Sequence, residues 1–227
     1  MSYAEKIPAL INAFQKIRII PVLALETVSS GLKMCELLVQ NGLPAAEITF
    51  RTAAAEETIR LAAKEFPKLL LGAGTVLTRD TLSRAVDAGA RFAVAPGFNP
   101  TVVKAAIERD FPFVPGVATP SEIEQAFELG CRLLKFFPAE ANGGVKMIQN
   151  YLGPYRHLGI RFMPTGGVKP ENLESYLSVP EISCVGGTWL AKASQIREAE
   201  ASGDWTAVAK GIADAAALAA KSHVAID

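Results

Sequence analysis

The sequence predicts an α/β fold: a closed (β/α)8 barrel with an extra N-terminal helix. From residue 17 onward, short apolar segments recur, and each is followed by a glycine- or threonine-containing turn and an amphipathic segment. Eight such units fit within the 227 residues of the chain, and repeated strand–helix alternation indicates parallel strands. Eight parallel units favour a closed barrel, and an open doubly wound sheet is the alternative.

The first elements are predicted before the repeat is established. Apolar residues that recur on one helical face predict the N-terminal helix over 7–16. The first strand is predicted over 17–25, although Pro21 within it cannot donate a ladder hydrogen bond. The helix predicted over 28–40 ends at Asn41-Gly42, a common stop signal.

The remaining seven units follow the same alternation. Their strands are predicted over 45–50, 69–73, 92–95, 113–116, 133–137, 161–165 and 182–186. The helices after them are predicted over 53–66, 79–88, 100–109, 120–129, 144–151 and 170–177, and in a last region that ends with 205–222. No linker, low-complexity segment or charge run divides the sequence, so we expect one domain over 1–227.

Composition and charge argue against several classes of function. Hydrophobic residues make up 50% of the chain and charged residues 20%, so a sizeable core is expected. The 23 basic residues are balanced by 23 acidic residues, which argues against nucleic acid or an anionic membrane as the main partner. No apolar run is long enough to span a bilayer, and the first residues lack the layout of a signal peptide.

Cysteine and histidine usage predicts neither disulfides nor a metal centre. Cys35, Cys131 and Cys184 are widely spaced and odd in number, which predicts buried thiols in a reducing cytoplasm. The two histidines, His157 and His223, have no second ligand at metal-binding spacing. We therefore expect no bound metal.

The strand predicted over 133–137 has a lysine at its centre. Lys135 stands between Leu134 and Phe136, and the strand stops at Pro138. A lysine in the middle of a buried strand reaches water poorly, and desolvation favours the neutral amine. A neutral amine can attack a carbonyl and form a Schiff base. The alternative is a side chain that extends past the strand end to solvent.

Further polar side chains stand at the carboxyl ends of predicted strands, where the active site of a parallel barrel lies. Glu47, Thr49 and Arg51 alternate along the second strand and therefore share one face. A purely structural Glu–Arg pair is the alternative. The third strand ends in Gly72-Ala73-Gly74-Thr75, where glycines permit close approach to the backbone and Thr75 offers a hydroxyl; a simple turn is the alternative.

Paired glycines follow the seventh and eighth predicted strands. Gly166-Gly167 come directly after Thr165, and Gly186-Gly187 come directly before Thr188. Backbone N–H groups in such turns can surround an anion, and phosphate sites of barrels recur at these two positions. One pair alone would indicate only a turn, whereas two pairs here predict phosphate binding.

Together these residues resemble the class I 2-keto-3-deoxy-6-phosphogluconate (KDPG) aldolase family, also called the KDPG/4-hydroxy-2-oxoglutarate (KHG) aldolases. The matching motifs run in the family's order at 47–52, 72–76, 135–140, 164–167 and 186–189. The resemblance implies a TIM barrel, a homotrimer, a phosphorylated keto acid substrate and a metal-free Schiff-base mechanism without a cofactor. Thr188 stands where the family often has serine, and the hydroxyl is kept. The sister family acting on the galactonate epimer tends to have valine at Thr165, so threonine favours the gluconate substrate.

The resemblance also implies roles for individual residues. Lys135 forms the Schiff base and Glu47 transfers protons. Arg51, assisted by Thr75, holds the substrate carboxylate, and Phe137 forms an apolar wall beside the amine. The phosphate would be held by Gly166, Gly167, Gly187 and Thr188.

Two other classes of function remain open from the residues alone. The first is a phosphate-binding barrel enzyme without covalent catalysis, such as an isomerase or a synthase. It would need paired carboxylates, and only Glu47 is convincingly predicted on a strand face. The second is a sugar-phosphate sensor, which would keep the glycine pairs but would not need a buried lysine. A covalent pyruvate adduct trapped with borohydride distinguishes the aldolase from both.

Overall fold

The computed structural model describes residues 1–222. This range contains nine strands, two of them very short: β1 Ile19–Leu23, β2 Ala45–Thr49, β3 Leu70–Gly74, β4 Phe92–Val94, β5 Phe113–Val114, β6 Gly116–Val117, β7 Leu133–Phe136, β8 Arg161–Pro164 and β9 Val185–Gly187. Positions 223–227, which the predicted domain includes and which contain His223, lie outside the described residues.

Helices alternate with these strands, and residues 1–222 contain ten of them. They are α1 Tyr3–Ile17, α2 Val28–Gln40, α3 Ala55–Glu65, α4 Arg79–Asp87, α5 Pro100–Glu108, α6 Pro120–Glu128, α7 Gly144–Tyr155, α8 Pro170–Leu177, α9 Ala193–Ser202 and α10 Thr206–Lys221. Each of these helices is too short or too polar to cross a lipid bilayer.

The paired strands all run parallel, as the alternation of strands and helices predicts. Six strands are ordered β5-β4-β3-β2-β1-β9, and three are ordered β6-β7-β8. The two groups share one chain segment, because only Pro115 separates β5 from β6. At the other edges, isolated bridges join Phe162 to Ile182 and Thr165 to Gly186. The result is a curled parallel sheet with helices packed around it.

Local sequence accounts for where several helices begin. Ser2 and Glu5 form a capping box at the start of α1, where the backbone N–H of Ser2 donates to Glu5 Oε2 at 2.7 Å. Thr119 and Glu122 form a second capping box at the start of α6. Proline at the first position of α6 fits because the first N–H groups of a helix have no partner within it.

Helix α1 packs against residues of the sheet rather than extending into solvent. Phe14 is fully buried, and its ring meets that of Phe92 edge-to-face with centroids 5.1 Å apart. The Tyr3 hydroxyl donates to the Phe113 carbonyl at 3.2 Å. Buried side chains from strands and surrounding helices form one contiguous hydrophobic cluster.

Boundaries differ from the sequence prediction where proline or irregular backbone intervenes. The strand predicted over 113–116 is split at Pro115, which has no N–H for the ladder. The strand predicted over 182–186 begins only at Val185 in the structure, because Ile182 makes a single isolated bridge and not a continuous ladder. The sequence pattern did not separate helix α9 from the last helical region, and α10 follows α9 after a short break.

Candidate active site

The centre of the site is a pair of charged side chains inside the curled sheet. Lys135 on β7 is 5% exposed, and Glu47 on β2 is 1% exposed. Lys135 Nζ donates to Glu47 Oε1 at 3.2 Å and lies 3.5 Å from Oε2. Because β3, β4 and the β5–β6 segment separate these two strands in the sheet order, the contact crosses the interior. The lysine therefore does not extend past the strand end to solvent.

Side chains alternate in direction along β7, so Phe136 and Phe137, which follow Lys135, point to opposite faces. Phe136 points the other way from Lys135, and its ring packs edge-to-face on Tyr151 of α7 with centroids 6.1 Å apart. Phe137 returns to the inner face, where its ring centroid lies 5.5 Å from Lys135 Nζ. The sequence prediction that Phe137 borders the amine agrees with this geometry.

Glu47 fits only because the neighbouring strand carries a glycine. Thr49 of β2 is in register with Gly74 of β3, and the Glu47 side chain folds over that glycine. A Cβ added at Gly74 would lie 2.7 Å from Glu47 Cγ and would overlap with its carboxylate. The close approach expected at this glycine is thus made by a side chain of the protein itself. Gly74 sets the position of the carboxylate.

Arg51 follows the end of β2 and is held by the strand that precedes it. Its Nε donates to Thr49 Oγ1 at 3.1 Å, and the Thr49 hydroxyl donates to the Leu23 carbonyl at 2.8 Å. Arg51 as a whole is exposed, and Nε makes the only side-chain hydrogen bond of its guanidinium within residues 1–222, so the other N–H groups are available to a ligand. Within residues 1–222, Arg51 forms no ion pair with a carboxylate.

Thr75 directly follows β3 and has an unusual backbone conformation. Its φ is 58°, in the left-handed region that a β-branched residue rarely adopts. The side chain is half-buried, next in sequence to the Gly74 that accommodates Glu47. Backbone strain of this kind is concentrated at functional sites. Within residues 1–222, Thr75 forms no hydrogen bond with Lys135.

Thr165 lies at the end of β8 and is 3% exposed. It bridges to Gly186, where an added Cβ would lie 2.8 Å from Thr165 Cγ2. Within the described chain its Oγ1 is buried and has no hydrogen-bond partner. A buried hydroxyl without a partner is unfavourable, and a bound molecule that supplied a polar group would relieve that cost.

The glycine pairs lie where the sequence predicts them, but they differ from each other. Gly166 and Gly167 both adopt positive φ, 99° and 83°, and form a turn between β8 and α8. Gly187 is instead a buried residue of β9, and the exposed Thr188 follows it. Gly167 and Thr188 line one open cavity of about 630 Å³. The structure therefore brings Gly167, from the first glycine pair, together with Thr188, which follows the second pair.

Two lysines on the wall of this cavity were missed as binding residues from the sequence. Lys169 directly precedes α8, Lys192 directly precedes α9, and both line the cavity with Gly167 and Thr188. In the described part of the chain, neither ammonium lies within ion-pair distance of a carboxylate. Glu171 also lines the cavity. The sequence did contain a signal for both lysines, because each stands within five positions of a glycine pair predicted to bind phosphate.

The three cysteines are free and buried, so their thiols are closed off from solvent. Burial raises the pKa of the Cys35 thiol to about 12 and that of Cys131 to about 11. Across residues 1–222, no three His, Cys, Asp or Glu side chains are grouped so that they could hold a metal ion.

The chain is similar to known proteins over most of its length. The sequence profile of the family described as "Aldolase: KDPG and KHG aldolase" matches residues 10–210. A 2-dehydro-3-deoxy-phosphogluconate aldolase from Haemophilus influenzae is 45% identical over 197 residues, which cover 87% of this chain and 91% of the relative.

Two solved structures share both the fold and the sequence signal. A KDPG aldolase from Legionella pneumophila, with pyruvate captured as a covalent carbinolamine intermediate, has a TM-score of 0.83 and 33% identity over 90% of this chain and 97% of its own. The 2-keto-3-deoxy-6-phosphogluconate aldolase of Zymomonas mobilis ZM4 with 3-phosphoglycerate has a TM-score of 0.83 and 33% identity over 95% and 97%. With a buried lysine–glutamate pair inside a curled parallel sheet and a family match over most of its length, the chain belongs to the KDPG and KHG aldolase family.

Proposed function

We propose that the protein is a Schiff-base-forming aldolase that cleaves 2-dehydro-3-deoxy-6-phosphogluconate (KDPG) to pyruvate and glyceraldehyde 3-phosphate. The observation that carries the proposal is the buried amine of Lys135 within 3.2 Å of the buried carboxylate of Glu47. A nucleophile and a proton acceptor in contact, both shielded from water, are the two groups that this chemistry needs. Family membership gives the reaction class, a carbon–carbon lyase.

The first stage forms the covalent intermediate. Proton transfer from the Lys135 ammonium to Glu47 leaves a neutral amine, whose lone pair forms a bond to C2 of the substrate ketone. The resulting carbinolamine loses water with the help of the Glu47 proton and becomes an iminium cation. The Legionella relative, which carries pyruvate as a carbinolamine, supports this order of events. The iminium then accepts the electron pair that is released when a carbon–carbon bond breaks.

The second stage cleaves the substrate and regenerates the enzyme. The Glu47 carboxylate removes the proton from the C4 hydroxyl, directly or through a water. The C3–C4 bond breaks, its electrons form the enamine of pyruvate on Lys135, and glyceraldehyde 3-phosphate leaves. Glu47 returns the proton to C3, and hydrolysis of the iminium releases pyruvate. Phe137 keeps water away from the amine from its side of the cavity.

The substrate carboxylate binds Arg51 and Thr75 in this proposal. A guanidinium matches a carboxylate with two parallel hydrogen bonds and cannot compete with Lys135 as a nucleophile. The bond from Arg51 Nε to Thr49 fixes one edge of the guanidinium and leaves the other edge available. The unusual backbone of Thr75 beside Gly74 supports a role at the same end of β3.

The phosphate binds at the cavity between α8 and α9. Backbone N–H groups of Gly166, Gly167 and Gly187 and the hydroxyl of Thr188 face the anion, as in other barrels. Lys169 and Lys192 add positive charge on the wall of the same cavity. Binding this remote group helps to orient the reacting carbons at Lys135.

Thr165 selects between sugar epimers. Its buried hydroxyl is without a hydrogen-bond partner inside the described chain, so it can receive or donate a bond to a substrate hydroxyl. Valine at this position could not make that bond, and a site built to bind a hydroxyl discriminates strongly against a substrate that lacks it in the right place. We propose a preference for the gluconate over the galactonate epimer.

A second activity follows from the same intermediate. Cleavage of 4-hydroxy-2-oxoglutarate (KHG) gives pyruvate and glyoxylate through the same enamine on Lys135, and it needs no phosphate site. The family description, which names both KDPG and KHG, favours this activity. We expect it to be independent of Lys169 and Lys192.

The proposal extends to architecture and assembly. We propose that the sheet closes as a complete eight-stranded barrel, with β5 and β6 counted as one strand and the bridges at Ile182 and Gly186 closing the ring. One domain would extend over 1–227, and three copies would form a homotrimer in the cytoplasm. The three free thiols are consistent with a reducing compartment. Light scattering on the protein as it elutes from a size-exclusion column measures the mass of the assembly. A monomeric or dimeric mass would contradict a trimer.

Trapping with borohydride tests the proposed function directly. The protein is incubated with pyruvate, reduced, and digested, and the modified peptide is identified by mass spectrometry. We expect one reduced pyruvate adduct, on Lys135, and no adduct on the variant Lys135→Ala. Lys146→Ala, which removes an exposed lysine of α7, is the matched control and should be labelled like the wild type. An unlabelled wild type, or an adduct that survives in Lys135→Ala, would overturn the proposal.

A further inference from the structure

Glu140 is the last residue of the motif that begins at Lys135, and the reaction described above does not use it. It opens a short 3-10 turn, Glu140–Asn142, after β7. Its Oε1 accepts a hydrogen bond from the hydroxyl of Tyr176 on α8. Tyr176 is fully buried, and burial together with the adjacent carboxylate raises the pKa of its phenol above the ordinary value. The phenol therefore remains a hydrogen-bond donor at neutral pH.

The same residue contacts the turn between β8 and α8. The backbone N–H of Glu140 donates to the Gly166 carbonyl at 3.0 Å, and that of Ala139 donates to the Thr165 carbonyl at 2.8 Å. The Glu140 side chain lies over Gly167, where an added Cβ would be 2.6 Å from Glu140 Cβ. Glu140 is thus held from two sides, by the glycine turn and by Tyr176.

These contacts connect the two halves of the proposed substrate site. Lys135 lies on β7, only five positions before Glu140, and the Gly166-Gly167 turn follows β8. Tyr176 is part of α8, the helix that begins at Pro170, three positions after Gly167. A hydrogen bond between Tyr176 and Glu140 therefore fixes the position of the turn and its helix relative to the end of the lysine strand.

We propose that Glu140 and Tyr176 are a pair of positioning residues that sets the distance between Lys135 and the Gly166-Gly167 turn, and thereby favours substrates with a terminal phosphate. The inference rests on the proposed function, because it assumes that the turn binds phosphate. Neither side chain takes part in the chemistry at C2, C3 or C4. A short keto acid without phosphate reaches only Lys135 and its neighbours, so it does not depend on where the turn lies.

The variant Tyr176→Phe removes the hydroxyl and keeps the buried ring. We expect the KM for KDPG to rise about tenfold, the size of a lost hydrogen bond to a charged acceptor. The KM and kcat for KHG, and the rate of pyruvate trapping on Lys135, should stay within about twofold of the wild type, since these need no fixed turn. A merely structural role would change both substrates alike.

Tyr155→Phe is the matched control. The Tyr155 hydroxyl donates to Glu124 Oε1 at 2.7 Å, so this variant removes a bond of the same kind between α7 and α6. It touches neither glycine pair, and we expect no difference between the two substrates. Equal effects of Tyr176→Phe on KDPG and KHG, or no effect on either, would overturn the inference.

The variant Glu140→Gln provides an independent readout. It also tests the positioning role if Tyr176→Phe does not fold. It weakens the acceptor and removes a negative charge near the turn. Loss of that charge would by itself lower the KM for a phosphorylated substrate. A rise in the KM for KDPG, without a change for KHG, therefore indicates that the Gly166-Gly167 turn has lost its position. A fall in the KM for KDPG would contradict the inference. Failure of the wild type to form a pyruvate adduct would instead contradict the proposed function, so the two failures are distinguishable.

Discussion

Lys135 Nζ lies 3.2 Å from Glu47 Oε1, although the two residues are 88 positions apart in the sequence. Neither side chain has more than a few per cent of its surface exposed. The pair exists because the sheet curls: β2 and β7 are not neighbours, and only their inward faces meet. A buried ion pair is weak evidence for stability, since desolvation offsets its attraction. It is much better explained by the need for an amine and a proton acceptor in contact.

Replacement of the carboxylate should separate Schiff-base chemistry from cleavage. Glu47→Gln keeps the shape of the side chain and an oxygen for the Lys135 bond, but it cannot accept a proton. We expect kcat for KDPG to fall by about 10²–10⁴-fold, the usual contribution of general acid–base catalysis. A pyruvate adduct on Lys135 should still accumulate after long incubation with borohydride. Steady-state kinetics with circular dichroism as a check on folding measure the effect. A kcat within a few-fold of wild type would remove Glu47 from the proton transfers.

Substitution of Gly74, the glycine beneath Glu47, should also lower the activity. In Gly74→Ala the new methyl group would lie 2.7 Å from Glu47 Cγ and would force the carboxylate away from Lys135. We expect a loss of kcat of at least about tenfold, because small displacements of catalytic groups are costly.

Gly153→Ala is the control for that experiment, since a methyl group added there would meet open space and the residue stands within α7. Alanine at a compatible helical position is neutral or stabilising by about 0.4–1 kcal/mol. Its kinetics should match the wild type. Unchanged activity in Gly74→Ala would mean that the carboxylate has room to adjust, and Gly74 would not be a determinant of its position.

Lys169 and Lys192, which line the cavity proposed to bind phosphate, should act on affinity and not on chemistry. We expect Lys169→Gln and Lys192→Gln each to raise the KM for KDPG by about three- to tenfold at low salt, and by less at high salt because screening weakens the attraction to phosphate. Kinetics with KHG should be unaffected. Lys210→Gln, which removes a lysine already paired with Asp214 on α10, should change neither substrate's kinetics. A salt-independent effect, or an equal effect on KHG, would place Lys169 and Lys192 outside the phosphate site.

The buried thiol of Cys35 should make stability depend on pH in the alkaline range. Burial, reinforced by the charge of Glu65, raises its pKa from 9.0 to about 12. Below pH 9 both the folded and the unfolded thiol are protonated, and the stabilisation is fully present. Above pH 9 only the unfolded chain ionises, so stability falls as pH rises towards 12.

Urea unfolding at pH 8 and pH 10.5 measures this effect. Cys35→Ala lowers stability at pH 8 because it leaves a small cavity, but it removes the titrating group. The difference from wild type should therefore shrink by about 2 kcal/mol at pH 10.5. Val103→Ala, another fully buried truncation on α5, has no titrating group and should show the same difference at both pH values. A difference for Cys35→Ala that does not change with pH would contradict the shift.

The strand–helix alternation and the face of a strand on which a side chain lies could be predicted from the sequence because they depend on local pattern. Period-two alternation on β7 puts Lys135 and Phe137 on one face and Phe136 on the other, and the ring contacts agree with this. The capping box at Thr119 is likewise a local signal. Where the local pattern was broken, at Pro115 and before β9, the predicted boundaries shifted.

Contacts between distant segments could not be predicted in the same way. No local pattern states that Gly74 makes room for Glu47, that Lys169 and Lys192 share one cavity, or that Tyr176 bonds to Glu140. These relationships depend on how strongly the sheet curls and on how each helix packs against it. The sequence by itself determined which side chains face inward, since backbone periodicity fixes direction. Only the tertiary structure decided which of them meet, because distances between strands are set by the packing of the whole core.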